Sequence, residues 1–247
     1  YLDKRRIRRG IAVRFGMGAA PDSWDALLTA MTHKGYTKQE LISAGLAVNG
    51  KNGRLYDKFR NRLMLPVIDV RGDVVGFGSR VLDKSEPKYM NTPETLTYSK
   101  RRILYGMNLA KKSKRSNIIL CEGNLDVVTL HQAGFDNAVA SMGTALTQEQ
   151  LRLLSRYTKE LVLCYDNDNA GQQATRRALE LLNNSEFSVK VLQLPRRLVD
   201  GEYIKQDADD FIKFQGPTAF ERLLTGSENG VEFRLDQIAG KYDLTDD

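Results

Sequence analysis

Two aspartates one residue apart follow a run of apolar residues. The run is Leu161 to Tyr165, and Asp166 and Asp168 come directly after it. Two carboxylates this close repel each other, which raises the cost of ionising both by about one pKa unit or more unless a cation neutralises them. Mg²⁺ takes oxygen ligands of this kind, so the pair indicates a divalent-cation site. The spacing alone favours an alternative, in which Asp166 forms an Asx-turn and residues 167–169 cap the next helix, and a cap can also be a ligand.

Further carboxylates stand where other strands are predicted to end. Glu122 follows an apolar run at 117–121, Asp126 lies four residues further on, and Asp207 and Asp209 lie in a loop beyond a fourth strand. In an open α/β sheet, ligands bind at the carboxyl ends of the strands. The acids can therefore converge on one edge, where two metal ions about 4 Å apart could stabilise the attacking and leaving oxygens of phosphoryl transfer. Glu122 taken by itself could equally complement a helix N-terminus.

Strands and helices alternate in the second half of the sequence. Short apolar runs at 117–123, 136–143, 160–166 and 189–195 predict strands, and the stretches between them have helical patterns. This alternation predicts right-handed βαβ units and a mostly parallel sheet, and hence an α/β fold. The change in pattern at Ser116 predicts a domain boundary near residue 115.

The residues before that boundary predict a mixed α+β unit. Residues 22–35 predict a helix, and Thr37 with Glu40 forms a capping box for a second one. Residues 62–83 predict a β-hairpin, whereas the polar residues 84–115 are typical of a loop-rich surface. The expected domains are 1–115, a basic N-terminal unit; 116–215, an acidic α/β unit; and 216–247, a C-terminal helical segment in which a further helix begins at Val231.

Charge is divided unevenly between the two halves. The net charge is +6, but 24 Lys and Arg stand against 10 Asp and Glu in residues 1–120, and 13 stand against 21 in residues 121–247. A basic half attracts polyanions, and its interleaved aromatic residues suggest bases stacked beside phosphate contacts. The aromatic residues are Phe59, Phe77, Tyr89 and Tyr105. The simpler alternative is that these charged side chains lie on a solvated surface and the uneven charge has no function. Trp24 is predicted to lie in the core, and His131 is predicted to be a packed helix residue.

Several classes of protein are excluded by composition. Two cysteines, Cys121 and Cys164, lie in apolar runs and are predicted to be buried, reduced thiols of a cytoplasmic protein. With two histidines in addition, a structural zinc site is not expected. No apolar run is long enough to cross a bilayer.

Three acidic motifs of the chain resemble those of the Toprim fold, which is shared by DnaG-type bacterial primases, type IA and II topoisomerases and OLD-type nucleases. The motifs are EGNLDVV (122–128), CYDNDNAG (164–171) and QDADDFI (206–212). The preceding half narrows the resemblance to the bacterial primases. The segments that resemble their basic subdomain are YDKFRNRLMLPVIDVRGDVVGFGSRVL (56–82), PKYMNTPET (87–95) and ILYGMNLA (103–110), and VASMGTALTQEQ (139–150) is similar to the same family.

This resemblance implies an RNA polymerase core that makes short RNA primers on single-stranded DNA from ribonucleoside triphosphates. It implies that Glu122, Asp166 and Asp168 are catalytic and bind Mg²⁺ or Mn²⁺, two or more ions, assisted by Asp207 and Asp209. Asp126 would be a supporting acid. The residues that would line the template and nucleotide groove are Arg60, Arg62, Arg80, Lys88, Tyr89 and Asn91.

The same resemblance implies partners and leaves alternatives open. The partners are the DNA template, the nucleotides and the RNA primer. A replicative helicase and a single-strand-binding protein would bind through a domain that is absent here. The family's zinc-binding domain is also expected to be absent. No membrane is expected, and the setting would be the bacterial cytoplasm, at the nucleoid and replisome. Ala208 replaces a proline that is frequent in the family between Asp207 and Asp209, which puts the loop geometry there in doubt. Another Toprim enzyme, or a non-catalytic DNA-binding module, is the alternative.

Overall fold

The computed structural model describes residues 1–143, 145–199 and 201–233, with the backbone alone at residue 228. Its helices are α1 (Arg9–Arg14), α2 (Ala26–His33), α3 (Lys38–Ser43), α4 (Met107–Ala110), α5 (Asn124–Gln132), α6 (Gln148–Leu154), α7 (Asn169–Leu182) and α8 (Ala208–Thr225). Its strands are β1 (Gly18–Ala20), β2 (Ala47–Asn49), β3 (Leu55–Asp57), β4 (Arg62–Ile68), β5 (Val74–Val81), β6 (Tyr89–Asn91), β7 (Leu104–Tyr105), β8 (Asn117–Cys121), β9 (Ala138–Ser141), β10 (Glu160–Cys164), β11 (Ser188–Val191), β12 (Arg197–Val199), β13 (Glu202–Ile204) and β14 (Glu228–Asn229).

A six-stranded sheet forms the second half of the fold, in the order β14-β11-β10-β8-β9-β7. The four central strands are parallel, and β7 and β14 are antiparallel edge strands. The predicted α/β fold with a mostly parallel sheet is therefore confirmed. Cys121 and Cys164 lie opposite each other on neighbouring strands, and both are buried free thiols, as predicted.

A four-stranded antiparallel sheet in the order β1-β4-β5-β6 forms the N-terminal half. The predicted hairpin is confirmed as β4 and β5. Its turn is held by the Asp69 carboxylate, which accepts the backbone N–H groups of Arg71, Gly72 and Asp73 at 2.8–3.0 Å. Gly72 has a φ of +107°, a conformation that glycine adopts without steric cost.

The two halves share one hydrophobic core. Leu65 of β4 packs in the same buried cluster as Val127 of α5 and Phe211 of α8, on one face of the six-stranded sheet. The other face is covered by α6 and α7, through residues such as Leu151 and Leu179. This packing fixes the N-terminal sheet against the helix that leaves β8.

The prediction that residues 84–115 are rich in loops is confirmed, since only β6, β7 and the four-residue α4 interrupt the loops there. The segment is not surface throughout, because Tyr98 and Tyr105 are fully buried and β7 joins the edge of the six-stranded sheet. The helix predicted over residues 22–35 begins only at Ala26. The Asp57 carboxylate accepts the N–H groups of residues 27 and 28 at 2.7 and 2.9 Å and so satisfies amides at the start of this helix. The capping box at Thr37 is confirmed, and Thr147 forms a second one with Gln150 at the start of α6.

The C-terminal helix is interrupted. Within α8, Gly216 has a φ of +81° and a ψ of 172°, and Pro217 starts the second part. Residues 230–233 are helical, in agreement with the helix expected to begin at Val231. The rest of that expected segment, residues 234–247, lies outside the described residues. The division of the chain at residues 115 and 215 stays a prediction. In the part of the chain that the structure describes, no helix is long and apolar enough to span a membrane.

Candidate metal and nucleic-acid site

Glu122 and Asp166 meet at the carboxyl edge of the parallel sheet. Glu122 follows β8 directly, and Asp166 lies two residues beyond β10, the neighbouring strand. The backbone N–H of Asp166 donates to Oε1 of Glu122 at 3.1 Å. One acid therefore fixes the backbone that carries the next.

The start of α7 is pressed against this strand end, and a glycine permits it. A Cβ on Gly171 would lie 2.0 Å from the carbonyl oxygen of Asp166 and 2.8 Å from Oε1 of Glu122. Asp168 is the N-cap of α7, and its Oδ1 accepts the Gly171 N–H at 2.8 Å. The capping alternative is thus realised for Asp168. Its Oδ2 lies 3.8 Å from Nζ of Lys205, on the side of the carboxylate that does not cap the helix.

A third acidic segment comes from the start of α8. Asp207 is the N-cap of this helix, and its Oδ1 accepts the N–H of Asp210 at 2.7 Å. Carboxylate oxygens of Asp207, Asp209 and Asp210 lie within 4.8 Å of one another. Asp210 was not singled out from the sequence, although it adjoins the chosen pair in the QDADD run.

Asp126 connects the first acidic segment to the third. Its Oδ2 accepts the N–H of Gly123 at 3.1 Å, and its Oδ1 accepts the N–H of Asp209 at 3.2 Å. The side chain is buried. Asp126 therefore holds two backbone segments in place, which fits the supporting role expected from the sequence.

The Asp209 carboxylate is surrounded by donors. Arg5 Nη1 lies 2.7 Å from Oδ2, Lys213 contacts the same oxygen, and the Thr129 hydroxyl donates to Oδ1. Only 1% of Asp209 is exposed. The charge of this carboxylate is already neutralised by two cationic side chains, so a metal ion would gain little from binding it. Its role as a metal ligand stays a prediction that this geometry does not favour.

Burial and mutual repulsion oppose ionisation of Glu122, Asp126, Asp166 and Asp207. Burial, followed by the charges of Glu122 and Asp207, raises the pKa of Asp166 to about 7. Burial also raises the pKa of Glu122, of Asp126 and of Asp207, and in each case a neighbouring carboxylate adds to the effect. Without a cation the cluster therefore retains protons near neutral pH. The carboxylates of the cluster offer only oxygen atoms as metal ligands, which is the ligand type that hard divalent cations take.

A basic surface on β5 and β6 adjoins this cluster. The Arg80 guanidinium lies 5.7 Å from the centre of the Tyr89 ring, and Lys88 Nζ lies 5.4 Å from it. Tyr89 is 55% exposed. Asn91 Nδ2 donates to the carbonyl of Met142, just beyond β9, at 3.2 Å. Four of the six groove residues predicted from the sequence, Arg80, Lys88, Tyr89 and Asn91, thus lie together at β5 and β6, and Asn91 connects them to the end of β9. Their place in a groove stays a prediction.

Arg60 lies in a second, partly exposed group, which we call the Trp24 platform: Trp24, Tyr56 and Arg60. Its guanidinium lies 4.1 Å from the Trp24 ring centre and 5.0 Å from that of Tyr56. The prediction that Trp24 lies in the core is wrong, because the side chain is 59% exposed and contacts Tyr56 edge-on, with ring centres 5.3 Å apart. A single apolar residue in a helical pattern does not reveal which way it faces.

Other basic and aromatic residues lie elsewhere than expected. Arg62 is buried, and its Nη2 donates to the carbonyl of Pro87 at 2.7 Å, so it supports the loop before β6. Burial lowers its pKa. Phe59 and Tyr105 are buried, which removes them from base stacking. His131 is packed as predicted; its Nε2 lies 2.9 Å from the Ala138 carbonyl, and burial lowers its pKa to about 4.

Family comparisons cover most of the chain. Residues 1–111 match the model of the DNA primase catalytic core, N-terminal domain, and residues 119–212 match a Toprim-like model. A DNA primase of Clostridium acetobutylicum is 44% identical over 247 residues, covering 100% of this chain and 40% of that protein. The DNA primase of Escherichia coli strain K12 is 38% identical, covering 99% of this chain and 42% of its own length. The chain therefore spans about two fifths of these curated relatives.

Solved structures agree with these matches. The Escherichia coli primase catalytic core has a TM-score of 0.87 at 38% identity and is covered to 77% by this chain. A DnaG primase catalytic domain bound to single-stranded DNA has a TM-score of 0.86 at 37% identity and is covered to 78%. In both comparisons 99% of this chain is aligned.

Proposed function

The chain belongs to the DnaG-type bacterial DNA primases, and on that premise we propose that it is a catalytic core that joins ribonucleoside triphosphates into short RNA primers on single-stranded DNA during replication. It acts as a DNA-directed RNA polymerase and releases pyrophosphate. The observation that supports this most is the meeting of Glu122, Asp166 and Asp168 at one sheet edge beside an exposed basic surface.

The acidic cluster fits divalent cations. Its carboxylates lie in a partly buried site where neighbouring charges raise the pKa of Glu122 and Asp166, so a bound cation relieves their repulsion. The cation has to displace the retained protons, so its affinity should fall as the pH is lowered. We assign Mg²⁺ or Mn²⁺, two or more ions, to Glu122, Asp166 and Asp168. In the third segment, Asp207 with the neighbouring Asp210 is better placed than Asp209, whose Oδ2 is paired with two cations and whose Oδ1 accepts the Thr129 hydroxyl. When bound, the ions neutralise the triphosphate and lower the pKa of the attacking 3′-hydroxyl.

Positioning of the substrates falls to the basic surface. Arg80 and Lys88 bind phosphate groups, and Asn91, tied to Met142, sets their distance from the acids. Tyr89 offers an exposed ring on which a base stacks.

The template strand binds at the Trp24 platform. Arg60 contacts both rings, so a nucleobase can stack on the exposed indole while the guanidinium meets a phosphate. Contacts of this kind read the backbone and ring faces, so little sequence preference is expected. The remaining partners, a helicase and a single-strand-binding protein, would act through other parts of the full-length protein in the cytoplasm.

Primer synthesis distinguishes this function from its alternatives. The 247-residue chain is incubated with single-stranded DNA, ribonucleoside triphosphates and Mn²⁺ or Mg²⁺, and labelled products are separated by length. Template-dependent RNA products support the proposal, nicking of supercoiled DNA indicates another Toprim enzyme, and binding alone indicates a non-catalytic module. Asp168→Ala should abolish the products without weakening DNA binding, whereas Asp22→Ala, at an exposed position, should leave both unchanged.

A further inference from the structure

A short β-hairpin projects beside the acidic cluster. We call it the 196–205 hairpin: Arg196, the antiparallel strands β12 and β13, and Lys205, described here without residue 200. Leu198 and Tyr203 lie directly opposite each other on the two strands. They are 58% and 69% exposed, so among the described residues no element covers this apolar pair.

The base of the hairpin is fixed to the site. Gln206, directly before Asp207, donates from Nε2 to the carbonyl of Pro195 at 2.5 Å and so closes the hairpin. Asn167, between Asp166 and Asp168, donates from Nδ2 to the carbonyl of Leu194 at 3.2 Å. The hairpin is therefore attached at both ends to segments that carry acids.

A further contact orients the hairpin. The Arg197 guanidinium lies 3.7 Å from the ring centre of Phe214 on α8, which packs the first strand against that helix. Arg197 is thereby engaged in packing, and the cations that remain for an external ligand are Arg196 and Lys205. Arg196 is exposed, and the Lys205 side chain is 58% exposed and points toward Asp168.

The sheet order places the hairpin and the basic N-terminal surface on different sides of the acids. Glu122 and Asp166 follow β8 and β10, the two inner strands. On one side of them is β9, beyond which Met142 receives Asn91. On the other side is β11, which leads into the hairpin. A nucleic acid that enters over the N-terminal surface and crosses the metal site therefore reaches the hairpin next.

We propose that the 196–205 hairpin holds the RNA–DNA hybrid as it leaves the acidic site. This inference rests on the proposed primer synthesis. A hybrid of this kind is A-like, with a wide and shallow minor groove lined by sugars and 2′-hydroxyls. The flat Leu198–Tyr203 pair matches that groove, with the phenol able to bond a 2′-hydroxyl, while Arg196 and Lys205 contact the flanking phosphates. Their charge complements a polyanion. Glu202, an exposed acid of the same hairpin, directly precedes Tyr203 on β13 and therefore lies on the opposite face of the hairpin.

Hybrid binding is the test. Fluorescence anisotropy measures the affinity of the 247-residue chain, with Mg²⁺ and without nucleotides, for an RNA–DNA hybrid of about ten base pairs and for single-stranded DNA of the same sequence. Arg196→Ala with Lys205→Ala should weaken hybrid binding about tenfold and make its dependence on salt less steep by about two counterions. The matched control is Arg152→Ala with Arg156→Ala, the same charge change on α6 and just after it, where hybrid affinity should be unchanged.

A second variant tests the apolar pair without a change of charge. Tyr203→Ala should weaken binding of the hybrid more than binding of an all-DNA duplex of the same sequence, because the latter lacks 2′-hydroxyls. Circular dichroism confirms that each variant is folded. The inference is overturned if the hairpin variants bind the hybrid as tightly as the control does. It is also overturned if the variants change the sedimentation of the chain without changing hybrid binding, because the hairpin would then be a contact between proteins. If the unaltered chain makes no primers, the proposed function fails first.

Discussion

Removal of one negative charge from the acidic cluster should stabilise the protein and inactivate it at the same time. The change is Asp166→Asn, which keeps the shape of the side chain. In the metal-free folded protein the pKa of Asp166 is raised to about 7 from 3.8, first by burial and then by the charges of Glu122 and Asp207. The folded state therefore binds this proton more tightly than the unfolded state, so the free energy of unfolding falls as pH rises from about 4 through about 7.

The pKa difference sets the magnitude. A rise from 3.8 to about 7 corresponds to about 4 kcal/mol at alkaline pH. Because Asp166 is only partly buried, solvent screening reduces this to about 2 kcal/mol. Asp166→Asn should therefore raise the free energy of unfolding by about 2 kcal/mol at pH 8, and by less than half of that at about pH 5. For a chain of this length the gain at pH 8 is about 4–8 °C in Tm.

Thermal unfolding in a chelator at both pH values measures the effect, with Asp22→Asn as the control for loss of an exposed charge. Addition of Mg²⁺ or Mn²⁺ should stabilise the unaltered chain and leave the stability of Asp166→Asn nearly unchanged. The difference in stability between the two proteins should therefore become smaller or change sign. The variant should make no primers under any of these conditions. If Asp166→Asn is no more stable than the unaltered chain at pH 8 in chelator, the repulsion inferred for the cluster is refuted.

Three further outcomes are expected. Gly171→Ala should destabilise the chain by about 1–3 kcal/mol and abolish primer synthesis, because its Cβ would lie 2.0 Å from the Asp166 carbonyl, whereas Gly10→Ala, with nothing within 4 Å, should be neutral or stabilising in a urea titration. Trp24→Ala should weaken single-stranded DNA binding by about 1–3 kcal/mol in anisotropy while metal-induced stabilisation persists; equal affinity would remove the Trp24 platform from the template path. A chelator should stop synthesis without loss of the far-UV circular dichroism signal, and unfolding on chelation would instead make the metal structural.

Much of the candidate site could be located from the sequence, because ligands of an open α/β sheet bind at the carboxyl ends of its strands. Glu122 and Asp166 follow apolar runs that become neighbouring parallel strands, so their meeting could be anticipated from pattern alone. The cap at Asp168 was an open alternative, and the structure realises it without removing Oδ2 from the site. Local chemistry of this kind depends on residues close together in the chain, which a sequence displays directly.

Contacts between distant segments could not be predicted in this way. The pairing of Asp209 with Arg5 joins residues 204 positions apart, and no local pattern indicates it. Burial of Arg62 and exposure of Trp24 likewise depend on how the N-terminal elements pack, since neither residue lies in a long amphipathic run. The 196–205 hairpin was missed because its two strands have three residues each and none of these residues is buried, so they lack the alternation of buried and exposed positions that marks a strand.

Two hydrogen bonds of the acidic cluster join the backbone of one segment to a side chain of another. Asp166 donates its N–H to Glu122, and Asp209 donates its N–H to Asp126. Both accepting side chains belong to the segment that follows β8, so displacement of that segment exposes an amide in each of the other two, and local opening of the three segments is coupled. Hydrogen exchange at these two amides should accordingly slow together when a cation binds. The carboxylates that repel one another across the site are also the groups that keep its three segments together.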